Sequence, residues 1–389
     1  TTTVATTVAT TGATATYALD ARTAHNHFPG IGRYVSNLAR AMPPHLGDQE
    51  HLLLLFDPGR ASRWELPTAS AQITLRPTPV SPFSLQQQWQ IPRALNHSSA
   101  QLYHSAYFLI PYAVRQPCIV TIYDLIPELF PQYFGLHTRL RYRLALWLAL
   151  RNSQHILTCS QATRRDLMTN HGVAADQITV TPFGADATFR PQSAETIART
   201  RARYALPERY VLYLGINKPH KNLVSLLQGW RQLDPTVRQS TKLVIGGAWD
   251  PRYPEAKEAA SQLELGESVQ FIGPVDEEEL PALYTGATAF VFPSLYEGFG
   301  LPLLEAMACG VAVACANTSS LVEVAGEAAL YFDPYQPAQI ARQIHRLVED
   351  AATRQDFAQR ALQQAATFSW QNAAQTTLDV YRAMLQKHA

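Results

Sequence analysis

Short apolar runs alternate with helical patterns through almost the whole chain. In the first half, residues 17–20, 51–56, 101–103, 118–122, 155–159 and 178–181 read as strands, and 32–42, 136–151 and 161–169 as helices. In the second half the strands fall at 210–214, 242–246, 269–272, 288–292 and 311–315. Their partner helices begin near Asn222, Pro254, Glu277, Leu301 and Ser320. After Asn222, a plausible N-cap, Leu223, Leu226, Leu227 and Trp230 recur at i, i+3, i+4 and i+7, one face of a helix. Strands alternating with helices predict parallel sheets covered by helices on both faces.

The alternation breaks at 183–207, where Gly184, Pro191 and Pro207 flank a polar, Arg-containing helix, so this stretch reads as a linker. A domain at 16–190 and another at 205–368 follow, and 389 residues suit two domains of that size. The Thr, Ala and Val of residues 1–15 predict a flexible extension, without the basic start and Leu-rich core of a secretory signal. In doubly wound sheets, ligands sit outside the carboxyl ends of the strands, so functional residues belong in the loops that follow strands.

Composition narrows the options. A formal net charge of +1 supplies no basic excess for a nucleic acid partner. The four cysteines, Cys118, Cys159, Cys309 and Cys315, form no C-x2-C pair, which argues against a zinc or thioredoxin-type site and fits small apolar roles in a reducing, cytoplasmic setting. No apolar run approaches the roughly 20 residues that span a bilayer.

Residues 292–310 read FPSLYEGFGLPLLEAMACG: a buried strand, a loop with Gly298 and Gly300, then a helix with Pro302 near its start. The N–H groups of Gly300, Leu301 and Leu303 are expected to point at an anion, aided by the helix dipole. Glu297 and Glu305 bracket this element, and spacing alone leaves open whether they are sugar-hydroxyl acceptors or solvated carboxylates. A second loop, 215–222, carries Lys218 and Lys221. Lys221 directly precedes a helix, where a cation is unfavourable unless an anion shares the site.

These motifs resemble the retaining glycosyltransferases of family 4. E-G-F-G-L-P followed by L-E-A-M-A-x-G is similar to that family's signature, with Glu297 and Glu305 on its E-x7-E motif, and 215–222 is similar to its G-x-x-x-P-x-K-N loop. The resemblance runs from about Tyr17 to the C-terminus. It implies an α/β fold of GT-B type, with two doubly wound Rossmann-like domains facing a central cleft and the helix at 370–389 packing back on the first domain. It implies a metal-independent transferase with no cofactor besides its nucleotide-sugar co-substrate. Glu297 would hold the donor sugar, Glu305 the ribose, and Lys221 the departing diphosphate. Phe299, Gly300 and Leu301 would line the phosphate, and Val275 would pack on the base. Many members carry Arg where this chain has Ile216, so Lys218 is the nearest substitute.

In the first half the resemblance places Gly30, Gly32 and Arg33 of the P-G-I-G-R-Y turn near donor phosphate and acceptor. Tyr123 and Asp124 stand where relatives commonly have His-Asp; a tyrosine hydroxyl hydrogen-bonds a sugar or phosphate oxygen but is not a base near neutral pH, and Asp124 is either catalytic or a carboxylate that caps nearby backbone N–H groups. His104, just past a strand, is a further acceptor-side candidate. The G-x-x-x-P-x-K-N loop without Arg points to GDP-mannose first and a UDP-hexose second, with a saccharide or lipid-linked acceptor. A nucleotide-sugar-binding protein without transferase activity, or an epimerase on the same fold, stays open. The helix at 139–151 mixes arginines with leucines. Its apolar side is expected in the core with its arginines solvated, and peripheral contact with an anionic membrane face is the other option.

Overall fold

A computed structural model describes residues 15–26, 29–60 and 64–388. The extension expected at 1–15 lies outside them except for Ala15, which opens the first strand. Among the described residues, thirteen strands form two sheets. The first contains β1 (Ala15–Asp20), β2 (Glu50–Phe56), β3 (Ile73–Pro77), β4 (Leu102–Ser105), β5 (Cys118–Ile122), β6 (His155–Thr158) and β7 (Ile178–Val180), in the order β3-β2-β1-β4-β5-β6-β7. The second contains β8 (Tyr210–Leu214), β9 (Lys242–Gly246), β10 (Val269–Gly273), β11 (Ala289–Phe292), β12 (Val313–Ala316) and β13 (Ala329–Phe332), in the order β10-β9-β8-β11-β12-β13. β8 pairs in parallel with β9 and β11, and β1 with β2 and β4. In both sheets the chain starts in the middle, builds outward to one edge, then returns and builds to the other. This is the doubly wound α/β arrangement that the alternating pattern predicts.

Contacts divide the chain into two compact units, one of Thr1–Thr121, Leu144–Leu157 and Ala374–Ala389, the other of Ile122–Arg143 and Thr158–Ala373. The core of the first centres on β1 and β2, where Tyr17, Leu19, Leu52, Leu54 and Leu55 are buried. In the second, β8, β11 and β12 are buried along their length, as central parallel strands with both faces covered should be. All four cysteines are buried and unpaired.

The structure adds β3, β13, the helices Pro337–Glu349 and Ala351–Ala365, and the helix Gln87–Asn96 to the predicted elements. β3 lies at a sheet edge with only Ile73 buried, so its apolar pattern is weak. The helix carries Pro92 in its interior, which argues locally against a helix. Two expectations are corrected. Asn222 stands at the N-cap position in the left-handed region (φ 58°), but its side chain makes no capping bond; its Nδ2 donates instead to the carbonyls of Pro293 and Pro334, tying the lysine loop to two others. The helix Leu136–Asn152 buries only Leu146 and Ala149, so its apolar residues are not chiefly core.

Candidate active site

The second sheet reverses its winding between β8 and β11, and the space beyond the carboxyl ends of such strands is where α/β sheets take ligands. Two loops leave from that point. The first follows β8 and closes in the 3-10 turn Pro219–Lys221, just before the helix Leu223–Gln232. The second follows β11 and ends at the helix Leu301–Ala308. They meet where Lys221 Nζ donates to Glu297 Oε1 at 2.6 Å and to Oε2 at 2.9 Å. Both side chains are largely sequestered, at 15% and 9% exposure, and the ammonium lies 5.6 Å from the centre of the Phe292 ring. The cation at a helix start thus has an anion beside it, supplied by Glu297 of the neighbouring loop.

More charge is gathered nearby. Asp124 is half-buried in the loop after β5, and its Oδ1 accepts from the Ile126 N–H at 2.9 Å. Burial raises its carboxyl above the usual range, and the Glu297 charge adds to the rise, while that N–H and the two lysines act against it. Burial lowers the Lys218 ammonium, with the neighbouring charge of Lys221 a second cause. Buried His220, between the lysines, is pushed down to about 3 by burial and by their charges, so it stays neutral.

The Glu297 loop is held tightly. A Cβ on Gly298 would lie 2.2 Å from the Tyr123 carbonyl oxygen and 3.1 Å from Asp124 Cβ, so only glycine lets the 123–124 backbone come this close. The one Cys159 S–H is shared between the carbonyls of Gly298 (3.3 Å) and Tyr123 (3.4 Å), and Thr163 Oγ1 donates to the latter at 3.0 Å. The Glu297 N–H donates to Ser319 Oγ at 2.9 Å, and the one Ser320 O–H is shared between the Glu297 and Phe299 carbonyls, each 2.9 Å away. Ser319 and Ser320 therefore shape the site, although nothing in the motif reading named them. Their only signal is a Thr-Ser-Ser run soon after β12.

At the helix Leu301–Ala308, Gly300 takes the N-cap position with φ +95°, a conformation that favours glycine. The Leu303 N–H, expected to face an anion, donates instead to the Gly300 carbonyl at 2.9 Å. That corrects the donor set, which keeps Gly300 and Leu301. Glu305 is buried and its Oε2 accepts from Tyr284 Oη at 3.0 Å, so it sits in the protein interior and not on a solvated helix face. Phe299, read as a donor contact, turns its ring into an aromatic cluster with Phe183 (4.8 Å between centroids) and Phe368 (5.9 Å), and its carbonyl accepts from Ser320 Oγ, so packing takes up its side chain. Val275 is half-buried in the loop after β10.

Beyond the ends of β8, β9 and β10 opens a pocket of about 280 Å³, lined among others by Gly215, Gly247, Trp249, Lys257 and Phe271. Trp249 meets Phe271 edge to face at 5.6 Å, and Lys257 Nζ lies 4.4 Å from the Trp249 ring centre. The sequence reading passed over Trp249 and Lys257, because only the fold brings the ends of β9 and β10 together.

The remaining candidates, Gly30, Gly32, Arg33 and His104, belong to the first unit. The helix there starts at Pro29, so the G-x-G lies within its first turn and not in a loop before it. Gly32 is required by packing, since a Cβ there would lie 2.7 Å from the Trp64 ring. Arg33 is half-buried on the same turn. His104 is corrected outright: it is fully buried, with Nδ1 2.6 Å from Tyr381 Oη and Nε2 2.7 Å from Thr121 Oγ1, so neither ring nitrogen is left for an acceptor.

Residues 29–189 match the family described as Glycosyltransferase Family 4, and residues 197–364 that described as Glycosyl transferases group 1. O-antigen chain mannosyltransferase B of Escherichia coli is 33% identical over 299 residues, covering 75% of this chain and 76% of that protein. The chain belongs to glycosyltransferase family 4. It is therefore an enzyme of glycosyl transfer, and its Lys221–Glu297 pair lies within the matched residues 197–364. A further relative, the serotype-specific mannosyltransferase WbdA of Escherichia coli, is 30% identical over 273 residues; the match covers 69% of this chain but 34% of WbdA. Among solved structures, sucrose-phosphate synthase from Thermosynechococcus elongatus superposes with a TM-score of 0.74 at 22% identity, over 96% of this chain and 100% of that one. Anabaena HepE in complex with UDP-glucose superposes with a TM-score of 0.74 at 18% identity, over 95% and 99%. At such identities these structures speak to the fold alone, which is the GT-B architecture the motifs implied.

Proposed function

We propose that this family 4 glycosyltransferase moves a mannosyl group from GDP-mannose to a saccharide or lipid-linked acceptor, with retention at the anomeric carbon and without a required divalent cation. The observation that carries the reading is the Lys221–Glu297 pair, formed between two loops at the switch point of the second sheet. A diphosphate that engages the Lys221 ammonium, with Lys218 beside it, takes over the charge that Glu297 now neutralises. The Glu297 carboxylate then accepts from sugar hydroxyls, and the N–H groups of Gly300 and Leu301 face the phosphate. Two lysines and a helix terminus stabilise the leaving group as it departs, the part a metal ion plays elsewhere. Glu305 holds the ribose, the pocket lined by Trp249 and Phe271 receives the base, and Val275 packs on it. The mannosyl assignment is supported by the names of the two Escherichia coli relatives.

Thermal unfolding against a panel of nucleotide sugars tests the donor. GDP-mannose at about 100 times its dissociation constant should add about 2.7 kcal/mol of stability. Stabilisation by a UDP-hexose and not by GDP-mannose would reassign the donor. Transfer to a mannoside acceptor should survive a chelator; loss of activity that added magnesium restores would remove the metal-independent mechanism.

A further inference from the structure

The chain after β3 is firmly pinned and yet turns apolar side chains outward. Phe83 (57% exposed), Leu85 (79%) and Trp89 (59%) stand out of the protein, the last in the first turn of the helix Gln87–Asn96. Apolar surface left in water bears an unfavourable hydration cost unless something covers it. The backbone beneath these residues is held at several points. Ser81 Oγ accepts from the Phe83 N–H at 3.2 Å, and Ser84 Oγ from the Gln86 N–H at 3.1 Å. Buried Gln87 donates through Nε2 to the Pro82 carbonyl, and its Oε1 accepts from Arg22, which also donates to the Val80 carbonyl at 2.9 Å. Gln88 reaches the loop after β4, where its Nε2 donates to the Ile110 carbonyl at 3.1 Å and its Oε1 accepts from the Tyr112 N–H at 2.9 Å. In that loop Tyr107 meets Phe83 edge to face at 6.4 Å and lies 4.5 Å from Phe108. Arg22 follows β1, so the loop after β3 is drawn across the carboxyl ends of β2 and β1 toward β4. The rings therefore gather at the switch point of the first sheet, where α/β sheets take ligands.

Composition says what fits there. Residues 77–92 and 105–114 contain no charged side chain. An anionic lipid surface or a nucleotide would call for cations. A neutral sugar asks for something else: its C–H face packs on an aromatic ring, and its hydroxyls bond to amides and other hydroxyls. Gln86 and Gln90, both exposed, alternate with Leu85 and Trp89 and supply those amides. Each ring is about the size of a pyranose, so Phe83 and Trp89 offer places for separate units of a chain.

We infer that Phe83, Leu85 and Trp89 form a platform for an uncharged oligosaccharide, holding the acceptor units behind the one that receives the sugar. The inference rests on the reading above that the acceptor is a saccharide, and not on the identity of the donor. The full-length chain is titrated with manno-oligosaccharides of two to six units without donor, and KM is measured for the same ladder in transfer. For the parent, affinity should rise with length. Phe83→Ser/Trp89→Ser should weaken hexasaccharide binding and raise its KM by at least about tenfold, with a smaller effect on the disaccharide. Leu85→Ser, at the most exposed position, should show a smaller loss of the same kind, and it carries the test if the double variant does not fold. Absence of hexasaccharide binding by the parent overturns the platform. So do equal affinities of parent and variants, a loss that is the same at every length, and a dimer of the parent that the double variant abolishes, because a second copy would then cover the rings. Hexasaccharide binding that the double variant loses, with no transfer to any member of the ladder, supports the platform and removes the saccharide-acceptor reading. Transfer with unchanged affinities does the reverse.

Discussion

The two sheets share a strand order, yet their switch points are furnished in opposite ways. In the first sheet β1 ends at Asp20, and Arg22 clamps that carboxylate through Nε at 2.8 Å and a terminal nitrogen at 2.6 Å. Tyr103 Oη donates to the same carboxylate at 2.6 Å, and Arg22 also reaches the Val80 carbonyl and Gln87. Side-chain exposure is 1% for Arg22 and 5% for Asp20. Burial by itself would raise the Asp20 carboxyl, but the Arg22 charge and the hydrogen bonds more than offset it and hold it below the usual range. In the second sheet the pair Lys221–Glu297 has fewer partners and keeps some exposure. One ion pair is saturated and serves the core; the other is a two-bond contact between two loops that a ligand can exchange.

That difference yields opposite mutational signatures. Asp20→Ala leaves the Arg22 guanidinium buried without its partner, and should cost about 3–5 kcal/mol of stability. Urea unfolding measures it; a midpoint near that of the parent would show the first pair to be as exchangeable as the second. Glu297→Gln keeps an amide oxygen for the Lys221 ammonium and should cost less stability than Asp20→Ala does, while lowering the transfer rate by about 10²–10³-fold, the usual effect of removing a group that acts in the transition state. Near-normal turnover in that variant removes Glu297 from the mechanism.

Glycines sharpen the same contrast. Gly298→Ala forces its new methyl against the Tyr123 carbonyl, so the 123–124 and 297–299 segments must separate. About 1–3 kcal/mol of stability should be lost, together with activity. Gly30→Ala, in the first turn of the helix Pro29–Ala41, meets nothing within 4 Å among the described residues. It should be neutral or stabilising by about 0.4–1 kcal/mol. Paired thermal melts and rate measurements check both, and a harmless Gly298→Ala would mean that the close approach is dispensable.

How much of this was readable beforehand follows from where the information lies. β8 and β9 match their predicted bounds to the residue, because each is a continuous apolar run cut off by glycine. The Glu297 loop and the lysine loop were readable because their chemistry is local: glycines, a proline at a helix start, and charges against a dipole. Ser319 and Ser320 were not, since a serine that braces another loop looks like any turn serine until the fold sets it there. His104 misled for the converse reason. A histidine after a strand suggests catalysis, and only the distant Tyr381 and Thr121 reveal it as a sealed core residue. The helix Leu136–Asn152 misled through composition, because many leucines predict burial whichever side they occupy.

Histidines give the finest form of the comparison, one from each unit. Burial holds His104 at about 3, whereas burial and two lysine charges together hold His220 at about 3. For both, the folded value lies below the unfolded value of about 6.5, so between these limits the unfolded chain binds a proton that the folded chain refuses. Stability from each is complete above pH 6.5 and is lost as pH falls toward 3, by up to about 1.4 kcal/mol per pH unit. His104→Gln keeps a polar group for Tyr381 and Thr121 while removing the titration, and should flatten the pH dependence of the urea midpoint between pH 6 and 4, by about one proton's slope. His220→Gln should flatten it too. Because part of its shift is electrostatic, that contribution should shrink when a diphosphate occupies the lysines, while the contribution of His104 does not change. If a bound nucleoside diphosphate leaves the His220 slope untouched, Lys218 and Lys221 are not where the phosphates bind.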